Sequence, residues 1–197
     1  MALPASTKPL RADTERTVRA ILEAAERVLS ANPAATMEQI AEAAGVARTT
    51  VHRRFASREA LIGALSAWAA QRFHEAVETA RPETTPPDVA LYQVTANVLR
   101  VKIGWGFAMG ALPTDAPEVA SVHADVLARC ERLFVRLRDA GVLPPDTDLD
   151  WARRVYYALI HEAATQAPDT DAAMDALATR VVDTLLHGLG PRTRTAT

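Results

Sequence analysis

The stretch from Thr36 to Phe55, TMEQIAEAAGVARTTVHRRF, limits what this chain can fold into more than any other segment. Thr36 followed three residues later by Gln39 is the pattern of a capping box, in which each side chain satisfies a backbone N–H left over at a helix start. The box predicts a helix from about Met37, with Met37, Ile40, Ala41 and Ala44 on its apolar side. Gly45 then ends it, because glycine reaches the left-handed conformation through which a chain leaves a helix. Beyond the turn, Val46, Val51 and Phe55 recur at a spacing that pins a second short helix inward. Arg48, Thr49, Thr50, His52, Arg53 and Arg54 are left for the outer surface.

Two helices crossing steeply over a short glycine turn form a helix-turn-helix, whose second helix fits the major groove of DNA. An arginine can pair in bidentate fashion with guanine, a threonine offers a hydroxyl and a methyl to a base edge, and arginine or histidine can anchor to phosphate. The expected DNA-binding set is Thr36, Met37, Arg48, Thr49, Thr50, His52, Arg53, Arg54 and Arg58. The bland alternative is a helical hairpin with a solvated basic face. It requires the capping box, the turn, the inward pins and the Arg/Thr face to agree by accident.

Residues 46–65, VARTTVHRRFASREALIGAL, together with the helix before them, resemble the TetR family of transcriptional repressors, and the resemblance spans about residues 14–65. Family members usually carry Tyr where this chain has His52, Lys where it has Arg58, and often Ser where it has Ala47. His52 can still reach a phosphate but lacks the large ring, and an imidazole can change charge near neutral pH. DNA affinity is therefore expected to depend on pH. Arg58 keeps the positive charge at the start of the next helix. Ala47 removes a side-chain cap, which weakens a helix start by roughly 1 kcal/mol.

At 197 residues and 49% hydrophobic content the chain can bury a sizeable core. No run approaches the roughly 18 apolar residues of a membrane helix, and MALPASTKPLRADTER lacks the apolar centre of a signal peptide, so a cytoplasmic protein is expected. The net charge of −2 argues against a general nucleic-acid coat. Residues 1–60 nevertheless hold nine Lys/Arg against seven Asp/Glu, and the remainder thirteen against seventeen, which confines DNA contact to the N-terminal part. The single cysteine, Cys130, excludes an internal disulfide framework and falls in line with Val126, Leu133 and Leu137 as a buried apolar group.

Along the rest of the chain, residues 1–13 read as a mobile arm, more simply a tail without a role than one in which Lys8 and Arg11 touch DNA. Val18, Ile21, Leu22, Ala25, Val28 and Leu29 mark an amphipathic helix from Thr14 to about Ala31, completing a DNA-binding domain over 14–60. A fourth helix, capped by Ser57 and running to about Arg81, is the expected connector. Its far end lies about 30 Å from the DNA-reading helix by simple rise, so a push there can reorient the near end.

Residues 61–190 are expected to form a helical ligand-binding and dimerisation domain, with 191–197 a flexible tail. GWGFAMG resembles a dinucleotide fingerprint, but its spacing is one residue too long and no strand frames it. It reads as an interrupted helix whose glycines turn Trp105, Phe107 and Met109 into a cavity, or equally as ordinary core. His123, Tyr156, Tyr157 and His161 are the polar groups expected beside that cavity, though Tyr156 and Tyr157 cannot both point the same way, and the set suits an apolar or aromatic effector. LPPDTDLD lacks the central glycine and distant acid of a calcium loop and reads as helix capping. The last two helices carry more apolar surface than one neighbour covers, and a second subunit can bury the excess. Family resemblance implies the same two-fold dimer.

No catalytic constellation survives inspection of spacing. Ser121, His123 and Asp125 alternate on a helix and point apart, and His74 with Glu78 lacks further convergent ligands, so neither an enzyme, a metal site nor a cofactor is expected. The chain is therefore read as all-α, a homodimeric repressor docking two reading helices on a pseudo-palindromic operator and released by a small molecule. Activation instead of repression stays open. The rival reading is a helical ligand-binding or scaffold protein that keeps the fold without reading DNA.

Overall fold

Apolar residues at three-and-four spacing run through most of the chain. In the computed structural model, which describes residues 8–111, 117–166 and 168–189, they produce nine α-helices and no strand among the described residues. These are α1 (Lys8–Ala31), α2 (Met37–Ala43), α3 (Arg48–Arg54), α4 (Arg58–Thr79), α5 (Pro87–Gly104), α6 (Gly106–Gly110), α7 (Pro117–Asp139), α8 (Leu149–Ala163) and α9 (Asp171–His187). The all-helical expectation holds. No helix among the described residues is long and apolar enough to cross a membrane.

The first helix corrects the expected arm over 1–13: it begins at Lys8 rather than Thr14. Pro9 falls in its first turn, where a missing N–H leaves no helical bond unmade. Within the helix, Thr17 Oγ1 donates to the Asp13 carbonyl at 2.8 Å. Residues 1–7 and the expected tail, 191–197, lie outside the described residues.

The chain divides into two compact units, one of Met1–Ala69 with Trp105–Pro113 and the other of Ala70–Gly104 with Thr114–Thr197. The division between them runs through α4, and the first unit also takes in α6. Its core is built from Ile21, Leu22, Ala25 and Leu29 of α1, Ile40 of α2, Val51 of α3, Leu61 and Leu65 of α4, and Ala108 of α6. The second unit packs α5 with α7, α8 and α9 around Leu91, Leu99, Leu133, Phe134, Leu137, Ile160 and Leu177.

Helix ends in the second unit follow local chemistry. α7 stops at Gly141, whose φ of +73° is glycine's territory, and Val142 N–H closes onto the Leu137 carbonyl at 2.9 Å. Asp148, from the loop read as capping rather than calcium binding, accepts the Trp151 N–H at 3.0 Å and caps α8. Cys130 is buried, and burial pushes its thiol up, as befits a small apolar group rather than a redox sensor.

Candidate nucleic-acid interface

The capping box forms as its sequence requires. Thr36 Oγ1 accepts the Gln39 N–H at 3.3 Å, and Gln39 Oε1 accepts the Thr36 N–H at 2.9 Å. α2 therefore starts at Met37, whose side chain is buried in the core. Met37, expected among the DNA-binding residues, keeps only its backbone for that task. Gly45 adopts φ +66°, and Val46 N–H closes onto the Ala41 carbonyl at 3.1 Å, which sets the turn into α3.

On α3, Val51 is fully buried, Phe55 just past its end is nearly so, and Val46 packs partly against the same core. These pins fix which face looks outward. Arg48, Thr49, His52, Arg53 and Arg54 are exposed and Thr50 is half-buried, so the residues expected to read DNA are on the outside of α3. Ala47 occupies the N-cap with extended backbone and no side-chain cap hydrogen bond, the weakness its side chain predicts.

Several of these groups are held by protein partners. Arg48 Nη2 lies 2.7 Å from Glu38 Oε1 on α2, and Arg48 Nε donates to His52 Nε2 at 3.4 Å. The Glu38 carboxyl is held below the usual range, first by hydrogen bonding at the α2 start, then by the Thr36 side chain, with the Arg48 charge adding to both. Arg54 Nη2 donates to Thr14 Oγ1 at 3.1 Å. Arg58, also expected among the DNA-binding residues, is half-buried and has protein partners. Its guanidinium donates to the carbonyls of Ala35, at 3.4 Å, and Pro33, tying α4 to the α1–α2 loop.

The expected ligand residues are divided between the two units. Trp105, Phe107 and Met109 pack against the core of the first unit, where the helix is interrupted as the glycines predict. The reason is a residue sequence reasoning missed. Glu26 of α1, 4% exposed, accepts the N–H groups of Phe107 at 2.8 Å and Ala108 at 3.0 Å, as well as the Ser30 hydroxyl at 3.0 Å. That buried carboxylate fastens α6 onto α1, with Trp105, Phe107 and Met109 partly buried against the same core.

Tyr156 belongs to the core of the second unit. Its hydroxyl lies 2.9 Å from Thr95 Oγ1, which itself donates to the Leu91 carbonyl at 2.7 Å, so Tyr156 is the donor of the pair. Tyr157 is half-buried beside Arg153, whose guanidinium stands 5.6 Å over its ring. Burial pushes both phenols well above their usual range. His161 is exposed on α8, and the side chain of His123 lies outside the described residues.

A capped α2, a glycine turn and a core-pinned α3 with an Arg/Thr/His face define a DNA-binding transcriptional regulator of the helix-turn-helix class. Residues 21–65 match the model of the bacterial regulatory proteins of the tetR family. The chain is 34% identical over 177 residues to the HTH-type transcriptional repressor LfrR of Mycolicibacterium smegmatis, covering 87% of this chain and 92% of that one. This protein belongs to the TetR family.

Solved structures agree. The fold resembles LfrR from Mycobacterium smegmatis in complex with proflavine, with a TM-score of 0.63, 31% identity, and coverage of 89% of this chain and 98% of that one. It also resembles PfmR from Thermus thermophilus, with a TM-score of 0.68, 21% identity, and coverage of 87% and 99%. The second likeness speaks to the fold alone.

Proposed function

We propose that the protein is a cytoplasmic repressor that binds a pseudo-palindromic operator as a homodimer through α3 and leaves it when a planar aromatic effector binds. The observation that carries this reading is the α3 face: Val51 and Phe55 fix its rotation, so Arg48, Thr49, Thr50, His52 and Arg53 stand together on the outside. A dimer would set two such helices in successive major grooves, roughly 34–36 Å apart.

Three observations support the finer parts. LfrR, a repressor by name, has been solved with proflavine bound. Within the second unit, Tyr156 and Tyr157 supply rings with polar ends in an otherwise apolar core, the composition of a small-molecule site. On α8 and α9, Trp151 is 59% exposed and Val182, Leu185 and Leu186 are only partly buried, an apolar excess suited to a partner subunit.

The test is selection of duplexes from a random-sequence library, followed by anisotropy on the selected duplex against a scrambled one over a range of salt. The expected result is a symmetric selected sequence, salt-dependent preference for it, two subunits bound per duplex, and weaker binding when proflavine is added. A protein that bound both duplexes equally would return the reading to a ligand-binding protein that keeps the fold without reading DNA.

A further inference from the structure

On the reading face, Arg48 differs from its neighbours in being held on two sides. Glu38 Oε1 takes Nη2 at 2.7 Å from the α2 side, and His52 Nε2 accepts Nε at 3.4 Å one turn along α3. A guanidinium is a rigid plane with two usable forks, one formed by Nε with Nη2 and one formed by the two terminal nitrogens. The first fork is the one occupied. The second, Nη1 with the outer hydrogen of Nη2, is used by neither contact, and it matches the O6/N7 acceptor pair of guanine in the major groove.

A flexible arginine at a DNA surface can take any phosphate, which strengthens binding to every sequence equally. An arginine already oriented loses less freedom when it meets its base. The carboxylate that orients it also repels a phosphate approaching the same place. Both effects favour the right sequence over the wrong one.

We propose that Glu38 is a specificity-determining positioning residue: it holds the Arg48 guanidinium with its free fork toward a guanine of each half-site and keeps that arginine off phosphate on other DNA. The inference rests on the DNA-reading assignment above. Glu38 itself touches no base; it acts through Arg48. Its side chain is exposed, and Glu38→Gln keeps its size and its place on the helix while removing the charge.

The experiment compares wild type, E38Q, R48A and the E38Q/R48A double variant on the wild-type-selected duplex and on a scrambled duplex, each over a salt series. It also repeats the sequence selection with E38Q. E38Q should tighten binding to the scrambled duplex, steepen its salt dependence by about one charge, and lower the preference ratio about tenfold. Its selected sequences should lose the guanine requirement at one position per half-site. In the R48A background the same substitution should leave the preference ratio unchanged. An unaltered ratio and selection in E38Q would overturn the assignment, as would an equal effect of E38Q with and without Arg48. Failure of the wild-type protein to select any duplex would overturn the DNA-reading assignment itself, and the role of Glu38 with it.

Discussion

The Glu26 carboxylate accepts the amide N–H of Phe107, 81 residues further along the chain, at 2.8 Å, while the adjacent Ala108 N–H takes its other oxygen. A buried carboxylate needs compensation, and here two backbone donors at the start of α6 and the Ser30 hydroxyl supply it. Removing it strands buried N–H groups. Glu26→Ala should therefore destabilise the protein by about 2–4 kcal/mol. Glu26→Gln should cost less, because its carbonyl oxygen keeps one acceptor while its NH2 faces the second donor. Urea unfolding followed by far-UV circular dichroism measures both.

That contact also marks where the sequence stops being legible. The helix-turn-helix could be read because its signals are local: Thr36 and Gln39 cap each other, Gly45 turns, and Val51 and Phe55 select a face within one short segment. The interruption at Trp105 was legible for the same reason. What Trp105, Phe107 and Met109 pack against was not, because the group that fastens α6 lies on α1 and looks in sequence like one more acidic residue of an amphipathic helix. The partners of Arg58 were hidden in the same way: only the folded loop shows the carbonyls of Pro33 and Ala35 facing it.

Tyr156 gives a pH prediction with a definite sign. Burial raises its phenol above the unfolded value of 10.0, so the folded protein keeps a proton that the unfolded chain releases. The stability this contributes is fully present below the unfolded value and is lost as pH climbs from there toward the folded one; Tyr157 acts in the same direction. Stability should be flat for these groups at neutral pH and fall above roughly pH 10. Tyr156→Phe should shorten that alkaline fall. At pH 7 it should cost about 1 kcal/mol, since Thr95 still donates to Leu91 and only one hydrogen bond disappears. Denaturant titrations at pH 7 and across the alkaline range test both halves.

Ala47 offers a gain. Its backbone already has the extended conformation of an N-cap, with φ −65° and ψ 143°, and lacks only an oxygen. Ala47→Ser should stabilise the protein by about 0.5–1 kcal/mol through a hydrogen bond to the first turn of α3. The shift should be visible as a higher urea midpoint with an unchanged slope. A lower midpoint would mean that the serine side chain is drawn elsewhere.

Arg53 and Arg58 carry the same charge close together in sequence, and the structure gives them different surroundings. Arg53 is exposed on the α3 reading face. Arg58 is half-buried with its donors on the Pro33 and Ala35 carbonyls. Arg53→Ala should therefore leave the urea midpoint in place and reduce the slope of log affinity against log salt by about one. Arg58→Ala should do the reverse, lowering stability by about 1–2 kcal/mol while leaving the salt slope alone. Arg58→Lys, which keeps the charge but cannot span two carbonyls with a planar fork, should resemble the alanine variant in stability. If Arg58→Lys instead matched wild type in stability and Arg58→Ala lost salt dependence, the guanidinium would be a phosphate anchor after all, and the clamp on the α1–α2 loop would carry no weight in holding the DNA-reading unit together.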